Sequence, residues 1–369
     1  MEPHSAFFAD AILRGGYVVT TVVRVWHGTT LATELPCIGG EVMVDESSNV
    51  RRVLTLETDA DLQPYELTDL LAPPNCEIEV RTGVDVAGRV ETVPVFWGSP
   101  TRPEAPSLLS PTMRIVADDR SRKVARSRLL RPWNTPAGSL VTAEITRLLH
   151  DVDPSWQVFD LTGSRLVTSA ATWTEDRLEP IDSLAGSMGA EVFSDPLGRF
   201  VIRPIPDGSG SPVWALDIDH DKASLVDAAV SMDAERAYNL VRASSSAPDV
   251  EVSAEAFFVE GPLAWPSWQN PRFFASPFLR TVDQCVSAAL AELPRSLVSA
   301  RDVTCLGAVN PALASGDPVA CTLPGRDPET RILSAFPVPL SEDTATSAYR
   351  TRPIAASVRA SWAMGVGTS

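Results

Sequence analysis

Two acidic groupings carry the side chains that could do chemistry. The segment DIDHD at 217–221 offers carboxylates and an imidazole, which are ligands found in cation-binding loops. It lacks the central glycine and the distal glutamate of an EF-hand, and the polarity of an ordinary loop explains it better. Glu77 and Glu79 are a pair of carboxylates, the groups that act as acid and base in glycoside hydrolysis. Because they alternate with apolar residues along a predicted strand, we interpret them as its solvated face.

The sequence carries no pattern of a nucleophilic, phosphate-binding or metal-binding site. LTGSRL at 161–166 has the spacing of neither a nucleophile elbow nor a phosphate loop, and GSGS at 208–211 is typical of a linker. The four histidines never fall at helical ligand spacing. The cysteines are scattered and odd in number, and they form no Cys-x-x-Cys pair, so they predict buried, reduced thiols: Cys37, Cys76, Cys285, Cys305 and Cys321. We therefore predict no catalytic residue, no cofactor and no metal, in a protein that is not an enzyme.

Composition and charge describe a well-packed acidic chain. The 369 residues allow about two to four domains, and 44% hydrophobic with 21% charged residues argues against disorder. The formal net charge is −16, and Lys123 and Lys222 are the only lysines. This excess of negative charge opposes general nucleic-acid binding, because it repels the phosphate backbone. No apolar run has the length of a membrane span and the N-terminal segment has no basic signal region, so we expect cytoplasmic assembly without a membrane anchor.

The first third of the sequence predicts a small β-barrel or sandwich. Dense β-branched residues or strict apolar–polar alternation predict strands in four segments: 17–26, 41–58, 76–82 and 90–98. The segment 41–58 is predicted to be two strands joined by a polar hairpin turn at 46–49. Pro94 favours an edge or a bulge in the last of them. The four prolines of 99–111 predict a loop, so this β unit ends near residue 105.

A basic cluster follows in this otherwise acidic chain. It consists of Arg120, Arg122, Lys123, Arg126, Arg128 and Arg131. A binder of single-stranded nucleic acid would place aromatic side chains between such cations, and the segment has none. Carboxylates on a neighbouring element or subunit are the favoured partners, because the guanidinium fork matches a carboxylate. We predict that the cluster contributes to a subunit interface.

The middle of the sequence changes to a helical period. Apolar residues on one face predict a helix over 139–149, with Ser139 as its N-cap, and a second helix over 180–188. AEVFSDPLGRFVIRP at 190–204 predicts a hairpin around its Asp-Pro-Leu-Gly turn. These elements make a small α+β unit. A flexible joint is predicted after it, at 205–212.

Strands return in the last third, around an insertion. One strand is predicted at 238–246 and others after residue 302, and a helix is predicted over 281–293. The aromatic and proline-rich segment 257–278 could form a ligand groove or a loop clamped onto a neighbour. We favour the loop, because no convergent polar set accompanies the aromatic residues. The aromatic residues predicted for subunit contact are Trp265, Trp268, Phe273 and Phe274.

Several stretches together resemble the tail-hub proteins of actinobacterial phages, which are also called minor tail, tail-tip or baseplate-hub proteins. They are 50–84, 113–129, 132–149, 172–204 and the closing VTCLGAVNPALASGDPVACTL at 303–323. The resemblance covers about residues 15–355 and rests on the order of the elements and on turn chemistry.

The resemblance implies a mainly β fold with α+β parts, in which two tail-tube-like β-barrels are joined by a small α+β domain. The elements predicted independently have the same order. The implied domains are a first barrel at 1–128, an α+β domain at 129–208, a second barrel at 209–248 and 297–355, an inserted loop and helix at 249–296, and a C-terminal tail at 356–369. The turns at 310–311 and 316–318 would set the entry of a barrel strand.

The resemblance also implies a role in an assembly. Three copies would present six barrels, adapt a sixfold tail tube to a threefold tip, and line the channel through which DNA is ejected. The expected partners are two further copies, the distal tail protein and tail tube above, and tip, spike or fibre proteins below. The tape-measure protein and DNA would pass without sequence-specific binding. The expected location is the tail tip of the virion, and host contact and wall digestion would fall to other proteins.

The expected mechanism is physical. Barrel edges would meet in a closed ring, and basic clusters would face acidic stretches such as 215–260, which holds ten acids and three bases. Two other functions remain open at this point. One is a carbohydrate-binding or receptor-binding tail module that uses the four aromatic residues as a sugar platform. The other is a cell-wall hydrolase, which would need a cleft of converging carboxylates with shifted pKa values.

Overall fold

A computed structural model describes most of the chain. The described residues are 1–73, 75–107, 109–163, 165–167, 169–217, 224–231, 238–260, 264–267, 269–296, 302–341, 346–353 and 360–364. Strands make up 47% of the chain and helices 15%, which confirms a mainly β protein with small helices. Trp268 and residues 218–221 of the DIDHD segment lie outside the described residues.

The first β unit contains seven strands, and the four segments predicted as strands are confirmed. Its elements are α1 Ala6–Arg14, β1 Val18–His27, β2 Thr30–Leu35, β3 Gly39–Asp45, β4 Arg52–Asp59, a 3₁₀ turn at Ala60–Leu62, β5 Glu77–Val86, β6 Arg89–Glu104 and β7 Thr112–Asp119. The strand order is β3-β4-β7-β6-β5-β1-β2. Alternation drives this arrangement, since every second residue of β4 is buried and Leu54 and Leu56 lie in the core.

Strand β6 changes its pairing partner at Gly98. Up to Gly98 it pairs with β5, and from Gly98 onward it pairs with β7. A Cβ atom on Gly98 would lie 2.1 Å from the carbonyl oxygen of Asp118, so a side chain there would push the two backbones apart. Pro94 lies beside a shift in the β5–β6 register, which agrees with the bulge predicted for it.

The loop predicted at 99–111 is partly wrong, because β6 continues through residue 104. Pro100 and Pro103 fit into this strand although they lack N–H groups. Between them Thr101 is an extra residue in the β6–β7 register, and such a bulge relaxes the demand for ladder hydrogen bonds.

The α+β unit follows. It comprises α2 Ser121–Arg126, β8 Leu129–Thr135, α3 Val141–His150, β9 Val158–Asp160, β10 Ala171–Glu175, α4 Leu178–Gly186, β11 Ala190–Ser194 and β12 Phe200–Pro204. The hairpin of β11 and β12 is confirmed, and β9 extends it in parallel. The apolar faces of α3 and α4 pack on this sheet through Ile145, Leu148, Leu184 and Ile202.

The N-cap predicted for α3 is wrong. The helix begins at Val141, and Leu140 holds the N-cap position without a side-chain hydrogen bond. Ser139 instead donates from Oγ to the carbonyl oxygen of Pro136 over 2.8 Å, so it closes the preceding turn.

The remaining elements form a second β unit and a small sheet. They are β13 Trp214–Leu216, β14 Leu225–Ser231, β15 Leu240–Ser245, β16 Ser253–Phe258, β17 Pro271–Ser276, α5 Val282–Ser296, β18 Asp302–Ala308, β19 Pro318–Cys321, β20 Glu329–Pro339, β21 Thr346–Pro353 and β22 Ala360–Met364. The small sheet has the order β17-β15-β16-β22, and α5 packs against β15 and β16. Strand β15 therefore lies outside the second β unit, and the boundary predicted between 248 and 249 falls inside the small sheet.

Strand β20 joins the two β units into one thirteen-stranded sheet. Its first residues pair with β19, its last five pair with β3, and β21 lies on its other side. At the far end of the second unit, β13 and β14 approach each other. The N–H of Leu225 donates to the carbonyl oxygen of Asp217 over 2.9 Å, and Ser224 Oγ donates to that of Ala215 over 2.6 Å.

The turn between β18 and β19 is held by buried polar contacts. Tyr349 accepts from the N–H of Asn310 over 2.8 Å and donates to the carbonyl oxygen of Ala308 over 2.9 Å. Asp317 accepts from the N–H of Ala314 over 2.8 Å, and its other oxygen lies 2.7 Å from the amino group of Met1. These polar residues are structural, because each satisfies a buried backbone group or charge.

Replacing Gly98 tests the position at which β6 changes partner from β5 to β7. We expect Gly98→Ala to lower the free energy of unfolding by about 1–3 kcal/mol, because the new methyl group meets the backbone of β7. Gly39→Ala is the matched control, since a Cβ atom there meets nothing within 4 Å, and it should change stability by less than ~0.5 kcal/mol. Chemical denaturation measures both, and equal stability of the two variants would contradict the assignment.

Candidate assembly surface

A buried ion-pair cluster fixes the first β unit to the α+β unit. Arg51, just before β4, donates to Glu191 on β11 over 2.7 Å, and Arg203 on β12 donates to the same carboxylate over 2.8 Å. The side chains of Arg51 and Glu191 are only 5% and 6% exposed. Both guanidinium groups also lie over the ring of Phe193, 4.2 and 4.5 Å from its centroid. Arg203 further donates to the carbonyl oxygen of Ser315 over 2.8 Å, so the cluster also contacts the second β unit.

A second buried pair joins the two β units near this cluster. Arg352 on β21 donates to Glu46, in the turn after β3, over 3.0 Å, and their side chains are 2% and 8% exposed. Arg352 also donates to the carbonyl oxygen of Pro206 over 3.0 Å. The linker after β12 is therefore tied to both β units.

A third contact lies where the β11–β12 turn meets β5 and β6. Arg120 Nε donates to Glu77 over 2.8 Å, and another nitrogen of Arg120 donates to the carbonyl oxygen of Gly198. The indole N–H of Trp97 donates to the same glutamate over 2.8 Å. A Cβ atom on Gly198, whose φ is +73°, would lie 2.6 Å from the Trp97 ring. Glu77 is thus a docking residue, and its interpretation as part of a solvated face is wrong.

Glu79 is also buried, which corrects the same interpretation. It accepts from the indole N–H of Trp26 over 3.0 Å. Trp26 stacks on Trp97 with ring centroids 5.7 Å apart. The two carboxylates therefore have indole donors as partners, and the pair is part of the packing of the strand face.

Asp119 and Arg52 form a further buried site at the end of β7. Asp119 accepts from the N–H groups of Arg52 and Ser121 over 2.9 and 2.8 Å. Burial raises the pKa of Asp119 despite these donors and the Arg52 charge, and burial lowers the pKa of Arg52. Arg52 donates to the carbonyl oxygen of Ser194 over 3.0 Å, which links this site to the α+β unit.

The predicted basic cluster finds carboxylate partners within the same chain. Besides Arg120, the pairs are Arg122 with Asp118 at 3.4 Å, Lys123 with Asp153 at 3.3 Å, and Arg128 with Asp176 at 3.6 Å. Arg126 and Arg131 are exposed. The preference for carboxylates on neighbouring elements is seen directly, and the role of the cluster in subunit contact stays a prediction.

Three of the predicted aromatic residues, Trp265, Phe273 and Phe274, are among the described residues. Phe273 and Phe274 are consecutive on β17, so their side chains point to opposite faces of the small sheet. Phe273 is 72% exposed, whereas Phe274 packs against the core between the sheet and α5. Trp265 is half-buried in the connection between β16 and β17. The role of these residues in subunit contact or in sugar binding stays a prediction.

A cavity of about 530 Å³ lies where the first β unit, the α+β unit and the small sheet meet. Three ion pairs contribute to its lining: Arg51–Glu191, Arg352–Glu46 and Arg272–Glu292. Carboxylates engaged in this way hold elements together and are poorly placed for proton transfer. In the described part of the chain, no three potential metal ligands cluster, and no helix is long and apolar enough to cross a membrane.

Two of the three described strands with a single neighbour in the large sheet, β2 and β14, are the remaining candidate surface, and the third is β13. Among the described strands, β2 and β14 each pair with one neighbour only, β1 and β18 respectively. Leu31 on β2 and Val226 and Val230 on β14 are exposed apolar residues. A strand with one free edge and exposed apolar side chains is a template for pairing with another chain.

Solved structures identify the fold. No family profile and no curated protein sequence matches the chain. A tail protein from Neisseria meningitidis MC58 matches with a TM-score of 0.65 and 13% identity over 90% of this chain and 96% of its own. The 43 kDa tail protein of prophage MuSo2 from Shewanella oneidensis matches at 0.62 and 14% over 92% and 100%. The prophage tail protein gp18 from Listeria monocytogenes EGD-e matches at 0.58 and 11% over 90% and 94%. The chain has the fold of these tail proteins along nearly its whole length.

The sequence interpretation missed the buried joints. None of the residues that carry them was singled out as a functional residue: Glu46, Arg51, Glu191, Arg203 and Arg352. One signal was available, since only two of 31 cations are lysine. Arginine is the preferred cation for buried, bidentate pairs, so this bias indicates internal ion pairs.

Removing the shared carboxylate tests the first joint. We expect Glu191→Gln to lower the free energy of unfolding by about 3–5 kcal/mol, because Arg51 remains buried without its anionic partner. Asp10→Asn, which breaks the exposed Arg14–Asp10 pair, has the same change in charge and should cost less than about 1 kcal/mol. Denaturant titration compares them, and a small effect of Glu191→Gln would exclude this joint as a major restraint.

The raised pKa of Asp119 predicts a pH dependence with a definite sign. The native state binds this proton at a higher pH than the unfolded state, in which the carboxyl titrates near 3.8. The native carboxylate is therefore disfavoured at neutral pH, and the penalty is relieved as the pH falls through the folded pKa. The unfolding free energy of the wild type minus that of Asp119→Asn should rise from neutral pH down to about 4. Asp10→Asn controls for net charge, and a flat or falling difference would overturn the assignment.

Proposed function

We propose that this chain is a structural hub protein of a phage tail tip or baseplate. The observation that carries the proposal is the tail-protein fold together with two β units joined edge to edge through β20 and β3. An actinobacterial phage is the proposed source, on the strength of the sequence resemblance.

Three copies form the proposed ring. The contact between β20 and β3 joins two β units within the chain, and it leaves β14 and β2 as the ends of the sheet. A head-to-tail contact between β14 of one copy and β2 of the next repeats the same kind of junction between chains. Such a heterologous contact closes into a ring when its rotation allows. Three chains then supply six β units, which is the match required between a sixfold tube and a threefold tip.

The two β units are proposed to be tail-tube-like barrels, the first formed by β1 to β7 and the second by β13, β14 and β18 to β21. In the second unit, the contacts of Leu225 with Asp217 and of Ser224 with Ala215 bring only the start of β14 to β13, and the rest of β14 has no second neighbour among the described strands. In the first unit, β6 pairs with β5 up to Gly98 and with β7 from Gly98 onward. The proposal of barrel-like units on either side of the shared strand β20 therefore rests on the sequence resemblance and on these partial contacts.

The proposed activity is mechanical. The net charge of −16 favours a channel wall past which DNA and the tape-measure protein move without adhering. The proposed neighbours are the distal tail protein and tube on one side and tip, spike or fibre proteins on the other. Assembly takes place in the host cytoplasm, and the mature location is the virion tail tip. No enzymatic step is proposed. The ion pairs around the cavity of about 530 Å³ hold the units together.

The mass of the purified protein in solution tests the ring. We expect a particle of three times the 39.7 kDa chain. Leu31→Lys and Val226→Lys should each lower the trimer population at least tenfold, because a charge on an edge strand opposes pairing. Leu161→Lys, at an exposed site that follows β9 in the α+β unit, should leave the trimer intact.

Sedimentation velocity separates these outcomes. A wild-type chain that stays monomeric up to the highest soluble concentration would contradict the ring. A trimer that tolerates both edge substitutions would move the interface away from β2 and β14. Antibody labelling of intact particles in the electron microscope checks the location, and label anywhere other than the tail tip would contradict the proposed role.

A further inference from the structure

Two thiols lie together in the core of the second β unit. Cys305 on β18 and Cys321 on β19 have their Sγ atoms 3.9 Å apart, and both residues are completely buried. Strands β18 and β19 are not hydrogen-bonded neighbours, so the two side chains meet across the interior. The other three cysteines have no thiol partner within the described residues.

We infer that Cys305 and Cys321 are a site of intramolecular disulfide formation, with a peroxide as the oxidant. The bond would close the segment 305–321 into a covalent loop. The tip of this loop carries Ser315, whose carbonyl oxygen accepts from Arg203, and Asp317, which binds the amino group of Met1. Oxidation therefore fastens the base of the loop that docks the second β unit onto the α+β unit.

The chemistry assigns different roles to the two thiols. The hydrogen bond with Cys321 lowers the pKa of Cys305, and the charge of the buried Arg331 acts in the same direction. The hydrogen bond to Cys305, followed by burial, raises the pKa of Cys321. Cys305 is thus the better nucleophile, and Cys321 is the resolving thiol.

The reaction balances in two steps. The Cys305 thiolate attacks one oxygen of hydrogen peroxide, the O–O bond breaks, and hydroxide leaves and takes up a proton to give water. The product is a sulfenic acid at Cys305. The Cys321 sulfur then attacks the sulfenic sulfur, the S–O bond breaks, and a second water leaves with the Cys321 proton. Two thiols and one peroxide become one disulfide and two waters.

The time and place proposed for this reaction rest on the proposed function, whereas the chemistry of the two thiols does not. A particle assembled in a reducing cytoplasm and released into an oxidising medium meets the oxidant only after assembly. The bond would then form in the finished particle, where it limits unfolding by constraining the unfolded chain.

Peptide mapping of the purified native protein tests the site directly. Both cysteines lie on one tryptic peptide, 302–326, which has no internal Lys or Arg. After peroxide treatment, unfolding and alkylation, we expect this peptide to lack both alkyl groups and to have lost two hydrogen atoms. Dithiothreitol should restore both thiols. Cys76 and Cys285, which are buried without a thiol partner, serve as internal controls and should remain alkylatable.

A variant and a stability measurement complete the test. Cys321→Ser should abolish the loss of two hydrogens and allow dimedone to trap a sulfenic acid at Cys305. The oxidised wild type should unfold a few degrees higher than the reduced form, and Cys321→Ser should show no such rise. Two alkylatable thiols after treatment of the folded protein, or a disulfide formed only in denaturant, would overturn the inference. None of these readouts depends on trimer formation, so failure here is separable from failure of the proposed ring.

Discussion

Buried arginine–carboxylate pairs fix the relative positions of the units of this chain. Taking both charges out of water is costly, and their attraction compensates only when geometry and further hydrogen bonds are favourable. Glu191 meets this condition by accepting from Arg51 and Arg203 at once, with Phe193 beneath both guanidinium groups. Such pairs contribute little net stability, yet a misdocked arrangement would leave buried charges unpaired. Their effect is therefore specificity of docking, which is the property an assembly unit needs.

The shared strand β20 applies the same restraint through the backbone. Pairing with β19 at one end and with β3 at the other leaves no flexible linker between the two β units. The pair of Arg352 and Glu46 lies next to this junction and ties in the linker at Pro206. A subunit in a closed ring must present its two edges at one fixed angle, because hinge motion would allow open as well as closed arrays. Continuous pairing and buried charge together remove that hinge.

The strands and helices could be predicted because they depend on residues close together in the sequence. The features that were missed depend on contacts between residues far apart in the sequence. Dense β-branched residues identified the strand around 17–26. Alternation identified the strands around 76–82 and 90–98, since burial on one face acts residue by residue. The partner of Ser139 was missed because a hydroxyl can cap a helix or close the turn before it, and local sequence does not decide between them. The same limit applies to the contact between the first β unit and the α+β unit. Glu77 has the pattern of a solvated acid, and only the fold places Arg120 and Trp97 against it.

The charge of the chain limits how copies can attract one another. Many arginines of the described residues are paired with carboxylates of the same chain, and the chain as a whole carries a formal net charge of −16. Copies that carry this charge repel each other over roughly a Debye length, about 8 Å at physiological salt. Cohesion in the proposed ring would then come from contacts that act below this range, such as hydrogen bonds along strand edges and burial of side chains like Leu31 and Val226. The same repulsion would oppose collapse of the proposed ring onto its own axis.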